Sequence, residues 1–226
     1  MAEVLLVPGS GFGAWAYDRL TPALAALGHR ARALDLPGRD GSDTRLQDHA
    51  EAILAAIDDR AILVGHSAAG FPITLAAALA PSRVQGLIYL AAYIPQPGKS
   101  LADLRRAAPL QPMRGAFQIS ADRTSYRFDP ARCRDLFFHD TDDFTPQMGP
   151  EPIRPQETPF PGPLPNTPRA ALIARDDRAL PPDWQRQMAA GMAQEELASG
   201  HCPHLSMPKA LAQTLDAMIK RIENPT

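Results

Sequence analysis

Apolar positions along the chain fall into two alternating patterns. Short runs dense in Val, Ile, Leu and Ala read as strands: Val4–Val7, Ala31–Leu34, Ala61–Val64, Val84–Ala91, Ala170–Ala174 and Glu195–Ala198. Between them, apolar residues recur at helical spacing and predict helices over Ala14–Leu27, Leu46–Ile57, Ala68–Ala80, Pro182–Ala190 and Pro208–Ile222. Gly28 supplies a stop after the first helix, and Pro182 sits in a first turn, where its missing N–H costs little. Strand-helix alternation of this kind predicts an α/β fold with a mostly parallel, doubly wound sheet. The sequence contains no internal repeat.

The pattern breaks in the middle of the chain, where 14 of the 24 prolines lie from Pro95 to Pro168. Proline fixes φ and removes a donor, so long regular elements are not expected there. The stretch still carries Leu101, Leu104, Phe117, Phe128, Leu136, Phe137, Phe138 and Phe144, too apolar a set for a disordered linker. It reads as a cap inserted at 94–168 between two core segments, 1–93 and 169–226. Short helices are expected near Leu101–Ala107 and Pro130–Phe138, with the rest irregular.

Composition narrows the function classes. The chain has 226 residues, 45% apolar and 21% charged, with a formal net charge of −2, which fits a packed globular protein. The absence of basic excess argues against nucleic acid and anionic membrane surfaces as partners. No stretch reaches the ~20 apolar residues of a membrane helix, and the opening MAEVLLVPGSG lacks a basic n-region and a full apolar h-region. A cytoplasmic protein is expected. Cys133 and Cys202 form no CxxC pair or zinc spacing, which suits two buried thiols in a reducing compartment. A homodimer is compatible with all of this.

The densest chemical signal is Ile62-Leu63-Val64-Gly65-His66-Ser67-Ala68-Ala69-Gly70, where a buried strand runs through small residues into a helix. That is the setting of a serine nucleophile on a sharp turn, although Ala69 stands where the G-x-S-x-G pattern has glycine. By itself the motif is weak, because a serine N-cap at an ordinary strand-to-helix turn looks the same. A serine hydroxyl also needs a base and a residue that orients the base. Two later strand ends offer them: Asp176 or Asp177 after Ala171–Ala174, and His201 after Gly200, with His204 as a competitor. Periodicity alone does not separate the two aspartates. His201 is favoured over His204 because it follows the glycine directly at the turn. The glycine-rich loop Pro8–Gly13 is placed to offer the Ser10 N–H to an oxyanion, paired with the Ala68 N–H. Its G-x-G is not a dinucleotide fingerprint, since Ala14 occupies the last glycine position.

With these residues in view, the chain resembles the small α/β-hydrolases that include plant methyl esterases, hydroxynitrile lyases and bacterial relatives. The resemblance runs through Leu6–Trp15, Gly28-His29, Asp35–Gly38, Gly65-His66-Ser67 and Leu90–Pro95. It continues in Asp177–Pro181 with Gln185-Arg186, and in His201 with Leu205–Pro208. It implies the α/β-hydrolase fold and resolves the acid to Asp177 and the base to His201. Two departures stand out. Pro8 replaces the histidine usual before the loop glycine, and Cys202 stands where hydroxynitrile lyases carry a catalytic lysine.

The expected activity is carboxylesterase-like cleavage of a small ester by Ser67, His201 and Asp177 through an acyl-enzyme. No cofactor or metal is expected. Phe12, Tyr93, Phe117, Phe128 and Phe138 are candidates to line the pocket. The alternatives are a cofactor-free lyase, isomerase or C–C hydrolase on the same residues, or a non-catalytic ligand-binding homologue.

Overall fold

A computed structural model of the chain describes residues 2–141 and 148–224, so Phe144 lies outside the described residues. Strands β1 (Glu3–Val7), β2 (Arg30–Ala33), β3 (Ala61–His66), β4 (Val84–Leu90), β8 (Arg169–Ala174) and β9 (Ala193–Leu197) form one sheet in the order β2-β1-β3-β4-β8-β9. Every pairing within it is parallel. The four inner strands are buried almost throughout, which is why they are continuous apolar runs in the sequence. The edges differ. Arg30 and Arg32 of β2 pair with Glu3 and Asp58, while β9 reads Ala-Gln-Glu-Glu-Leu. Charged edges of this kind discourage strand addition from another chain.

Helix α1 (Leu20–Ala26) packs with α9 (Pro208–Glu223), and α2 (Leu46–Ala55) packs with α3 (Gly70–Leu79). The chain leaves β1 for β2 on one side and returns to β3 on the other, so the topology reverses between β1 and β3. In open α/β sheets such a reversal opens a crevice at the carboxyl ends of the strands.

The single helix expected over Ala14–Leu27 is two pieces, a 3-10 turn at Ala14–Tyr17 and α1. Pro22 explains the break. It has no N–H to offer Asp18 O, and its ring would clash there in a continuous helix, whereas the first turn of α1 accommodates it. Asp35 Oδ1 fixes the 3-10 turn by accepting from Ala14 N at 2.7 Å.

Between β4 and β8 lie α4 (Leu101–Ala107), α5 (Pro130–Phe137) and α6 (Ile153–Glu157). The irregular remainder expected there is corrected by a three-stranded antiparallel sheet of β5 (Phe117–Ile119), β6 (Ser125–Phe128) and β7 (Glu151–Pro152). Strands this short present too few alternations to read from sequence, and β7 is a two-residue pair that ends in proline. Helix α7 (Pro182–Met188) follows β8, and the short α8 (Pro203–Ser206) follows β9.

Candidate active site

Ser67 is the first residue after β3, and its φ of 54° lies in the left-handed region that serine rarely adopts. Such a conformation costs on the order of 1–3 kcal/mol and persists only where surrounding structure enforces it. Here the backbone of Tyr93 does so. Tyr93 N donates to Ser67 O at 3.0 Å. A Cβ on Gly70 would collide with Tyr93 O. The turn therefore requires glycine at Gly70, three residues after the serine, as well as at Gly65, whose Cβ would stand 2.7 Å from Ile73 Cδ1 and 3.0 Å from Ala69 O, while Ala69 is accommodated two residues after the serine, almost fully buried. Ser67 itself is only half-buried, within a segment whose neighbours are all buried.

Asp177 and His201 leave the ends of β8 and β9. His201 Nδ1 and Asp177 Oδ2 are 2.7 Å apart, and both side chains are almost fully buried. The carboxylate is held from three further directions. Its Oδ1 accepts from Ala179 N at 2.7 Å and Leu180 N at 2.8 Å, and its Oδ2 accepts from Gln185 Nε2 at 2.8 Å. Gln185 is anchored in turn by donating to Leu180 O and accepting from Ala174 N. Asp176, by contrast, is exposed. With Nδ1 committed to Asp177, the other imidazole nitrogen is the one available to a reacting group.

Two more contacts fix the His201 turn. His66 Nε2 lies 2.9 Å from the carbonyl oxygen of His201 and can only donate to it. Asp140, from the segment between β4 and β8, accepts from Gly200 N at 2.7 Å. His204 is wholly buried against Tyr17, His66 and Phe12. Burial pushes it down to about 3, so it is a neutral packing residue at ordinary pH. Cys202 is also wholly buried, and burial pushes its thiol well above the ordinary range. It is therefore uncharged beside His201.

The loop after β1 meets the Ser67 turn at the topological reversal. A Cβ on Gly9 would stand 2.9 Å from Ser67 Cβ and 2.9 Å from His66 Nδ1, so only glycine fits. A buried polar cluster grips this loop from outside. Arg39 Nη2 donates to Gly9 O at 3.0 Å, and Gly11 N donates to Glu151 Oε2 at 2.9 Å. Gln156 Nε2 donates to Glu151 Oε1 at 2.9 Å and reaches Ser10 Oγ at 3.3 Å. Arg39 and Glu151 form an ion pair, with Glu151 only 2% exposed. Burial pulls the Arg39 guanidinium down to about 10, still charged at neutral pH.

Ser67, His201, Ser10 and Ala68 line one narrow cavity of about 20 Å³. Of the expected lining residues, Phe12, Tyr93, Phe117 and Phe128 are on its wall. Phe138 is not. It packs behind, against Phe12 and Phe137, and Phe137 takes the wall position. At this site Ser67, His201 and Asp177 come from three separate strand ends.

The alpha/beta hydrolase family model matches residues 4–214. The chain belongs to the α/β-hydrolase family. Among its relatives is a pyrethroid hydrolase of Sphingobium wenxiniae, 30% identical over 95% of this chain and 86% of that one. The probable esterase PIR7A of Oryza sativa is 36% identical over 43% of this chain and 41% of its own length. A crystal structure of the pyrethroid hydrolase PytH superposes with a TM-score of 0.89 at 26% identity, covering 99% of both chains. Polyneuridine aldehyde esterase shares the fold, with a TM-score of 0.81 at 19% identity over 96% of this chain and 99% of that one.

Sequence patterns did not reveal several residues of this hydrolase's site. Arg39, Glu151 and Gln156 meet the Ser10 loop across as many as 146 residues of chain, and no local pattern links them. Leu101, Arg105, Met113 and Tyr126 also line the cavity from segments that carry no motif. Among the described residues, no helix is long and apolar enough to cross a membrane.

Proposed function

We propose that this hydrolase is a carboxylesterase-like serine enzyme in which Ser67 attacks the carbonyl of a small ester. His201 takes the serine proton and returns it to the departing alcohol. Asp177 holds the imidazole in the required tautomer and stabilises the imidazolium. The Ser10 and Ala68 amides hold the oxyanion, a contribution worth ~10²–10³ in rate per donor. Water, deprotonated by His201, then hydrolyses the acyl-enzyme and frees Ser67. The segment 94–168 acts as the cap that keeps bulk water from the acyl-enzyme, with Phe12, Tyr93, Phe117, Phe128 and Phe137 forming an apolar wall.

The observation that carries this reading is the buried Asp177–His201 contact beside a serine held at positive φ, with Ser67 and His201 on one cavity wall. The names of the relatives, a pyrethroid hydrolase and a probable esterase, support ester cleavage. Cys202 weighs against cyanide-releasing chemistry, because a buried neutral thiol supplies no cation for a departing cyanide. The two free thiols also suit a reducing, cytoplasmic setting. The test is turnover of p-nitrophenyl acetate by Ser67→Ala. Loss of essentially all enzymatic turnover is expected, and undiminished turnover would overturn the assignment.

A further inference from the structure

Arg105 lies where two cavities join. Together with Tyr93, Met113 and Phe117 it lines both the narrow cavity at Ser67 and a larger one of about 170 Å³ that opens outward past Leu110 and Pro181. Most of the shared wall is apolar, with Leu101, Phe128 and Phe137 completing the inner part. Arg105 is the cation common to both cavities and is half-buried, whereas Arg114, on the outer cavity alone, is exposed.

Its described neighbours leave it without a compensating carboxylate. Arg105 sits in α4, whose one acidic residue, Asp103, is engaged elsewhere. Asp103 closes the capping box with Ser100 and pairs with Arg106 at 2.7 Å. Among the described residues Arg105 has no ion pair and no hydrogen bond. Its guanidinium carbon lies 4.5 Å from the centroid of the Phe117 ring. Stacking on an aromatic face orients a guanidinium and leaves its in-plane N–H donors unused. A partly desolvated cation is costly to keep without a partner. A stacked fork of free donors at the inner end of an apolar channel matches a planar carboxylate in geometry and charge.

We propose that Arg105 binds a carboxylate on the substrate, so that the enzyme acts on esters carrying a second, anionic group a few atoms from the scissile bond. This rests on the reading of Ser67 as nucleophile for where the ester sits, but not for where the carboxylate binds. The substrate class is then a half-ester of a dicarboxylic acid, if the anion is on the acyl side, or an acylated hydroxy acid, if it is on the alcohol side.

Matched pairs of esters separate these cases. Monomethyl glutarate against methyl glutaramate places the charge on the acyl side, and O-acetyl-lactate against O-acetyl-lactamide places it on the alcohol side. In one pair the wild-type kcat/KM should favour the anion by about tenfold or more, the usual scale for a hydrogen bond to a charged group. That ratio should fall at least tenfold in Arg105→Gln and recover in part in Arg105→Lys, which keeps the charge but not the planar fork. A wild-type ratio at or below one in both pairs would overturn the proposal, as would a ratio unchanged by Arg105→Gln. Binding reads Arg105 without turnover. Calorimetric titration of Ser67→Ala with monomethyl glutarate and with O-acetyl-lactate should give saturable binding of at least one, weakened at least tenfold in the Ser67→Ala, Arg105→Gln double variant. Absent or equal binding would also refute the proposal. Intact binding without wild-type turnover would support Arg105 and fault the nucleophile instead.

Discussion

Replacing Glu151 with Gln preserves its size and removes its charge. Glu151 is 2% exposed, accepts from Gly11 N and Gln156 Nε2, and pairs with Arg39, whose side chain is 14% exposed. The substitution opens no cavity, so its cost comes from electrostatics and hydrogen bonding. Removing one member of a buried ion pair costs about 3–5 kcal/mol, because the other charge is left uncompensated. The partial exposure of Arg39 and its remaining bond to Gly9 O place Glu151→Gln near the low end, at about 3 kcal/mol. The substituted amide also presents a donor to Gln156 Nε2, which must turn and loosen its hold on Ser10. Activity should therefore fall with stability. If the Ser10 N–H supports the oxyanion, displacing it forfeits part of a ~10²–10³ effect, so kcat/KM should drop by about tenfold or more. Urea denaturation and p-nitrophenyl acetate kinetics measure both quantities. Adding Arg39→Met should restore most of the stability, since the uncompensated charge is gone, but not the rate, since Gln156 stays turned from Ser10 and Gly9 O loses its donor as well. A Glu151→Gln protein with a urea midpoint and kcat/KM both within error of wild type would refute this role for the cluster.

Three further outcomes are expected. Asp177→Asn should keep the fold and lower kcat by about 10⁴, because an amide at that position favours the wrong imidazole tautomer; a loss under tenfold would count against Asp177. Gly70→Ala should cost more than about 2 kcal/mol in thermal or urea unfolding, because its Cβ would collide with Tyr93 O; wild-type stability would mean that the turn is not held by that close approach. Acid sensitivity should trace to buried imidazoles. Burial pushes His204 down to about 3 and His49 down to about 4, whereas the unfolded chain takes up these protons near pH 6.5. The unfolded state binds more protons in that window, so stability is full above pH 6.5 and drains as pH falls toward 4. At pH 5 the loss is about 2 kcal/mol per group. His204→Phe should remove about that much of the decline between pH 7.5 and pH 5, and an unchanged decline would refute the assignment.

The core of the fold was legible because its inner strands are buried on both faces, which forces continuous apolar runs such as Ala61–Val64. Ser67 and His201 were legible for a related reason, since Ser67 follows β3 directly, His201 follows β9 after Ala198-Ser199-Gly200, and each sits among small residues. The choice of Asp177 over Asp176 needed the resemblance to a family, because both residues follow the same strand. In the structure, Asp177 turns inward onto the Ala179 and Leu180 amides while Asp176 faces solvent. Ala69 drew attention because of a motif, and its backbone does crowd Gly65, yet the tightest approach occurs one residue later, at Gly70, and depends on the Tyr93 backbone. Phe137 and Phe138 are adjacent at the end of α5, and no periodicity indicates which of them faces the cavity. The Arg39–Glu151–Gln156 cluster was invisible because its partners are brought together only by tertiary structure. The sheet formed by β5, β6 and β7 was missed because its strands are too short to show alternation.

The proposed chemistry turns on activation of Ser67 by His201 and Asp177. Its most direct test is reaction with a fluorophosphonate, followed by mass spectrometry of the peptide that carries Ser67. One adduct is expected, located on Ser67, absent in Ser67→Ala and formed far more slowly in His201→Ala. An unmodified Ser67, or an adduct formed as fast without His201 as with it, would contradict that activation.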